Sequence, residues 1–258
     1  MSRFINLEFQ DDSSHEFWAG NKTPAKDEAY YLTAARAAFE NGEFEPGLRL
    51  YSKVLEYNPK NVTAWTGQVR MLIELGEFRE AKLWADKALE RFPNEPELLA
   101  AKAVALARSG DLQTALAFSD ASIEERGDTP YVWLARGDVL LARAETRADY
   151  CFEKALLLAP HDWFVAWLAA RIRLYYEQFV LALKCLHAAV EINPGHFLLW
   201  LEQGHCQQAL NLVGAAEASY RQAKLLNREC LAADRGLTRL SQTGLLKRLS
   251  SRLRELFK

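Results

Sequence analysis

Residues 62–93 read VTAWTGQVRMLIELGEFREAKLWADKALERFP, and their pattern decides the architecture. Trp65, Val69 and Leu72 keep helical spacing along one stripe until Gly76-Glu77 interrupts it. Ala81, Leu83, Trp84, Ala88 and Leu89 resume the helical period on a second segment. Phe92-Pro93-Asn94 stops that segment, because proline lacks the amide proton an advancing helix needs. Two helices joined by a tight turn are expected, and strict strand-like alternation is almost absent. Ala81 is small enough to let the helices approach closely, and Trp65 fills the space beside that crossing.

The unit recurs. Pro59 and Pro93 lie 34 residues apart, as do Pro160 and Pro194, and Gly127 stands in for a breaker 34 after Pro93. Large residues follow most breakers at Trp65, Leu99, Trp133 and Trp200. Three further columns keep step: Gly47, Ala81, Ala115, Ala148, Ala182 and Ala216; Tyr51, Ala85, Ser119, Phe152, Leu186 and Tyr220; Val54, Ala88, Ser122, Ala155, Ala189 and Ala223. A large residue early, then small, aromatic and small residues and a closing proline over 34 positions resembles the tetratricopeptide repeat. The resemblance spans six units from Asp27 to Arg228. It implies an all-α, right-handed α-solenoid of helical hairpins with C-terminal capping helices, in which the first helices line a concave groove. The chain departs from the pattern at Ser119 and Ser122, in apolar columns. The fourth unit is one residue short around Ala142–Arg147, where the turn glycine is also missing. The fifth has Ala166 in the large slot, between Trp163 and Trp167.

Outside the repeats, residues 1–26 read as a polar, mobile lead, and the apolar Arg3–Phe9 within it as a short docking segment. Residues 229–258 are expected to supply a cap, beginning at Cys230–Leu240, and a basic amphipathic helix over Gly244–Lys258. That last helix gathers Leu245, Leu249, Leu253, Leu256 and Phe257 on one side.

Composition excludes several classes. With 258 residues, 50% apolar and 26% charged, the chain has apolar surface enough to offset the entropy of folding. No run approaches the roughly 18 apolar residues of a spanning helix. The N-terminus lacks the apolar core of a secretory signal, so the cytoplasm is the expected compartment. From Arg228 onward eight Lys or Arg face three acidic residues, so a net charge of -2 divides into +5 there and -7 elsewhere. An acidic body argues against nucleic-acid binding. Cys151, Cys185, Cys206 and Cys230 form no CxxC pair, and the five histidines form no metal-ligating spacing. No nucleophile elbow or phosphate-binding glycine loop is present. A non-enzyme without metal or cofactor is expected.

What remains is a surface. The slot one turn beyond the core stripe of the first helices gives Arg36, Arg70, Val104, Asp138, Arg171 and His205. Phe39, Ile73, Glu74, Tyr131, Leu134, Trp167 and Tyr175 are expected nearby. Arg36, Arg70, Asp138, Trp167, Arg171 and His205 form the candidate binding set. Guanidinium groups beside aromatics suit a peptide with carboxylates and an apolar anchor. The competing reading pairs the arginines locally, with Glu40 or Glu74. The Lys and Asn clamp by which some relatives hold acidic chaperone tails is not matched: Leu32 with Arg36 and Thr66 with Arg70 occupy its slots. The expected function is a non-catalytic adaptor or scaffold that binds a peptide or protein segment in the groove. The alternative is a regulatory or assembly subunit docked to an enzyme or membrane complex through its terminal segments. Contact of the terminal helix with a membrane surface is the weaker variant, since its apolar side has no Trp.

The close crossing gives a direct test. Ala81→Leu is expected to overpack the second hairpin and destabilise the chain by about 1–3 kcal/mol, read as a lowered melting temperature.

Overall fold

The structure is a computed structural model and describes residues 26–125 and 128–242. Arg3–Phe9, Gly127 and Gly244–Lys258, each given a role above, lie outside the described residues. Among those described the regular structure is helical throughout. The helices are α1 (Glu28–Glu40), α2 (Phe44–Tyr57), α3 (Val62–Glu74), α4 (Phe78–Arg91), α5 (Pro96–Arg108) and α6 (Leu112–Glu124). They continue as α7 (Pro130–Ala142), α8 (Ala148–Leu158), α9 (Trp163–Tyr175), α10 (Phe179–Ile192), α11 (Phe197–Ala209) and α12 (Val213–Leu226). A further helix, α13, covers 231–242. The fold is an all-α solenoid of helical repeats, in which α1 to α12 pair in chain order, each odd helix with the even one after it. The chain divides into two compact units, Met1–Ala155 and Leu156–Lys258. In the first unit α3 packs on α5, and α5 on α7, so first helices stand side by side.

Helix starts follow local chemistry. Asp27, Asn61, Asp111, Thr129 and Asp162 each cap a helix by accepting a backbone N–H one turn in, as at Asn61 Oδ1 to the Ala64 amide (2.9 Å). The ends of the first helices share one device. In every hairpin a backbone N–H reaches back five residues to a carbonyl of the last turn: Glu43 to Ala38, Glu77 to Leu72, Asp111 to Leu106, Glu145 to Leu140, Gln178 to Arg173 and Leu212 to Gln207. These bonds measure 2.8–3.0 Å. The residue just before each donor must turn left-handed. Gly42, Gly76 and Gly110 do so at φ 71°, 78° and 95°. Ala144, Glu177 and Asn211 occupy the same position later in the chain at φ 56°, 57° and 60°. The turn is thus kept where its glycine is lost.

The three internal columns are the core. All eighteen of their residues are buried, from Gly47 and Tyr51 to Tyr220 and Ala223. The aromatic members press on bare backbone. A Cβ added at Gly67 would lie 2.4 Å from the Tyr51 ring, and one at Gly137 would lie 2.9 Å from Phe152. At Gly204 and at Gly236 it would lie 2.6 Å from the Tyr220 ring, which is therefore held between α11 and α13. Ser119 and Ser122, polar members of apolar columns, are 1% exposed, and the Ser122 hydroxyl donates to the Ser119 carbonyl (2.8 Å). In the fifth repeat Trp167 takes the deepest position, and Trp163 stays half-exposed.

Two details differ from a regular hairpin. Trp65 and Ala81 are buried together, but Trp133 is only partly buried. Its indole donates to Asp128 Oδ1 at the surface (3.1 Å) and meets Tyr150 edge-on. The missing residue of the fourth repeat lies between Ala144 and Ala148, and α8 starts directly at the small-residue column. Arg143 and Arg147 both bond Glu145 there, at 2.7 and 2.5 Å, and hold its carboxyl below the usual range.

Glu177 is exposed and its side chain is not needed for the turn. Glu177→Gly is expected to relieve a left-handed non-glycine residue and raise stability by about 1 kcal/mol, measurable as an increased urea midpoint.

Candidate functional site

The arginines set out by the repeat period do not share one environment. On α1, Arg36 Nε bonds Glu40 Oε1 at 2.6 Å, with Arg36 exposed and Glu40 half-buried. This is the local pairing expected of residues one turn apart. Arg70 on α3 behaves differently. It forms no ion pair with Glu74 and no hydrogen bond among the described residues. Its guanidinium carbon instead lies 4.8 Å from the Phe39 ring of α1 and 3.9 Å from the Tyr131 ring of α7. Burial pushes the Tyr131 hydroxyl well above its ordinary pKa; Arg70 opposes that shift, while Glu97, Asp138 and Glu74 add to it.

Val104 on α5 and Asp138 on α7 complete the slot in the first unit, and both are buried, at 4% and 1% exposure. Asp138 accepts from Arg108 Nε and Nη2, along one edge of the guanidinium, the shortest bond being 2.7 Å. The Arg108 side chain is itself only 6% exposed. Desolvation of two charges is offset here by a bidentate geometry. Asp138 is thus held within the protein, one first helix against the next.

In the second unit Arg171 on α9 donates to Glu202 Oε1 of α11 at 2.7 Å, and its guanidinium carbon lies 5.2 Å from the Trp167 ring. Trp167 is fully buried and supports the arginine from below. His205 is exposed, and its ring meets Tyr220 edge-on at 5.5 Å. Crowding by protein and the positive Arg239 lower its pKa. Nearby, Trp163 stacks at 4.5 Å on His196.

Arg36, Arg70, Phe39 and Tyr131 are therefore gathered in the first unit, and Trp167, Arg171 and Glu202 in the second. The sequence reading passed over Arg108 and Glu202. Their signal is a near-repeat separation: partners on successive first helices stand 30 residues apart for Arg108 and Asp138, and 31 for Arg171 and Glu202. Writing the chain in rows of one repeat and looking one turn back in the row below would have found both.

Chemically the surface offers cations, rings and amides. No group of three metal-ligating side chains occurs among the described residues. All four thiols are buried, and burial raises the pKa of Cys151, Cys185 and Cys206, the last to about 12, so they stay protonated at neutral pH. No helix among the described residues is long and apolar enough to cross a membrane.

Residues 38–105 match the tetratricopeptide repeat family. A thermophilic protein of this class from Thermus thermophilus superposes with a TM-score of 0.54 at 21% identity, over 70% of this chain and 99% of that one. One from Parabacteroides merdae gives 0.53 at 15% identity, over 85% and 86%. A chain of the APC/C hetero-tetramer Cut9–Hcn1 gives 0.52 at 14% identity; the match covers 84% of this chain but only 44% of that one. No curated protein sequence matches significantly. These likenesses show the fold.

Replacing Asp138 by Ala leaves Arg108 buried without its acid. The expected loss is about 3–5 kcal/mol in equilibrium unfolding, and the paired change Arg108→Met with Asp138→Leu should recover most of it.

Proposed function

Since the chain is a tetratricopeptide-repeat protein, we propose that it is a non-catalytic adaptor or scaffold, binding a peptide or protein segment along the face of its first helices. The observation that carries this reading is where the polar chemistry sits. Among the described residues every buried charged or amide side chain, at Gln68, Asp138, Arg173, Glu202, Gln203 and Gln207, lies on a first helix, whereas the buried polar residues of second helices are the small hydroxyls Ser119, Ser122 and Ser219. Polar groups are retained in an otherwise apolar stack where they orient other polar groups. Around them stand arginines braced by rings, at Arg70 over Phe39 and Tyr131 and at Arg171 over Trp167. Such preformed cations lose little side-chain freedom on binding. The second helices carry exposed apolar residues such as Leu83 and Leu157, and their ion pairs at Arg49–Glu45, Lys53–Glu56 and Arg221–Glu217 each join residues of one helix. The Cut9–Hcn1 assembly supports the same class of role, since a chain of like fold there stands in a protein complex. In this reading Arg36, Arg70, Arg171 and His205 meet the partner, and Asp138 and Trp167 set the positions of residues that do.

The test uses two comparably exposed positions, Tyr175 on α9 (47%) and Leu83 on α4 (53%). A photo-crosslinking amino acid is placed at each in the full chain, and adducts are mapped in native extract. Adducts from the Tyr175 position that are absent at Leu83, and that weaken with Arg171→Glu on the same helix, are the expected result. Adducts confined to the Leu83 position would move the binding surface to the second helices.

A further inference from the structure

We infer that Arg70 reads a single carboxylate of the protein partner in the first unit, an inference that rests on the groove reading above. Arg36, Arg108 and Arg171 each have an acid of their own, at 2.6, 2.7 and 2.7 Å. Arg70 has neither an ion pair nor a hydrogen bond among the described residues, although it is half-buried. Its guanidinium is flanked by Phe39 from α1 and Tyr131 from α7, at 4.8 and 3.9 Å, so water is displaced from the plane by rings contributed by two other helices. Stacking engages the face of the cation and leaves the N–H fork at its edge, the part that matches a carboxylate in two parallel bonds. Partial desolvation makes such a pair stronger than one in open water. The Tyr131 hydroxyl, also without a hydrogen bond among the described residues, is a further donor beside it.

One guanidinium with its N–H edge open matches one carboxylate in two parallel bonds. An aspartate or glutamate side chain and a C-terminal carboxylate share this chemistry.

The experiment selects random twelve-residue peptides on the full-length chain. One library ends in a free carboxylate; the other holds the same random stretch inside a longer display protein. Both selections are repeated on Arg70→Gln, with Arg70→Lys as a conservative control and thermal melting to confirm folding. The expected wild-type pools share an acid, or the free terminus, at a fixed distance from apolar positions. On Arg70→Gln the acid preference disappears while the apolar positions persist. For one selected peptide, removing its carboxylate should weaken binding at least tenfold on wild type and have little effect on Arg70→Gln. An acid preference that survives Arg70→Gln, or pools with apolar positions only, overturns the role of Arg70 and leaves a structural brace. Empty pools, or selected peptides that crosslink only to second helices, overturn the groove reading itself. Enrichment confined to the free-carboxylate library identifies a chain terminus as the source and supports the inference; enrichment in both identifies a side chain and supports it equally.

Discussion

The contact on which the rest depends is a ring lying on bare backbone. At Gly67, Gly137, Gly204 and Gly236 an aromatic side chain comes so near a first helix that no Cβ fits between. That spacing fixes how closely these helices stand to one another. On the first helices, Arg171 meets Glu202 and Arg108 meets Asp138 across successive repeats. Packing in the columns and polar contacts on the adjoining face are one design seen from two sides.

Alanine does similar work where aromatics are absent. In α5, Ala100, Ala101, Ala103, Ala105 and Ala107 are all buried, and the helix packs on both α3 and α7. With so little bulk between its neighbours, Tyr131 of α7 reaches past α5 to Arg70 of α3. The third repeat therefore offers little surface of its own, and Val104 is covered. It acts instead as the spacer that brings the second and fourth repeats to one arginine.

Most of the fold could be read from the chain because its determinants are periodic. Residues such as Ala81, Ala115 and Ala216 answer the same steric demand, and repetition makes that demand visible against local noise. The turns show the limit of this. Gly42, Gly76 and Gly110 announce a left-handed residue, whereas Ala144, Glu177 and Asn211 adopt one under the compulsion of packing on either side. The site was legible in position but not in environment. The period gives Arg36 and Arg70 the same slot, yet one bonds an acid of its own helix and the other rests against rings from two others. Asp138 holds that slot too, and is withdrawn from solvent by Arg108, which comes from a different column and a different repeat. Partner choice of this kind depends on side-chain reach between helices, which a single sequence encodes only jointly, through both residues at once.

The burial of all four cysteines bears on how the chain can be handled. They sit in α8, α10 and α11 and just ahead of α13. In the native state they are shielded from solvent, which leaves an introduced surface cysteine as the favoured target for a maleimide dye or spin label. The natural thiols then serve a second purpose. Each reports, by the moment it becomes alkylated, when the packing around it opens, and together they follow the unravelling of the chain from α8 to α13.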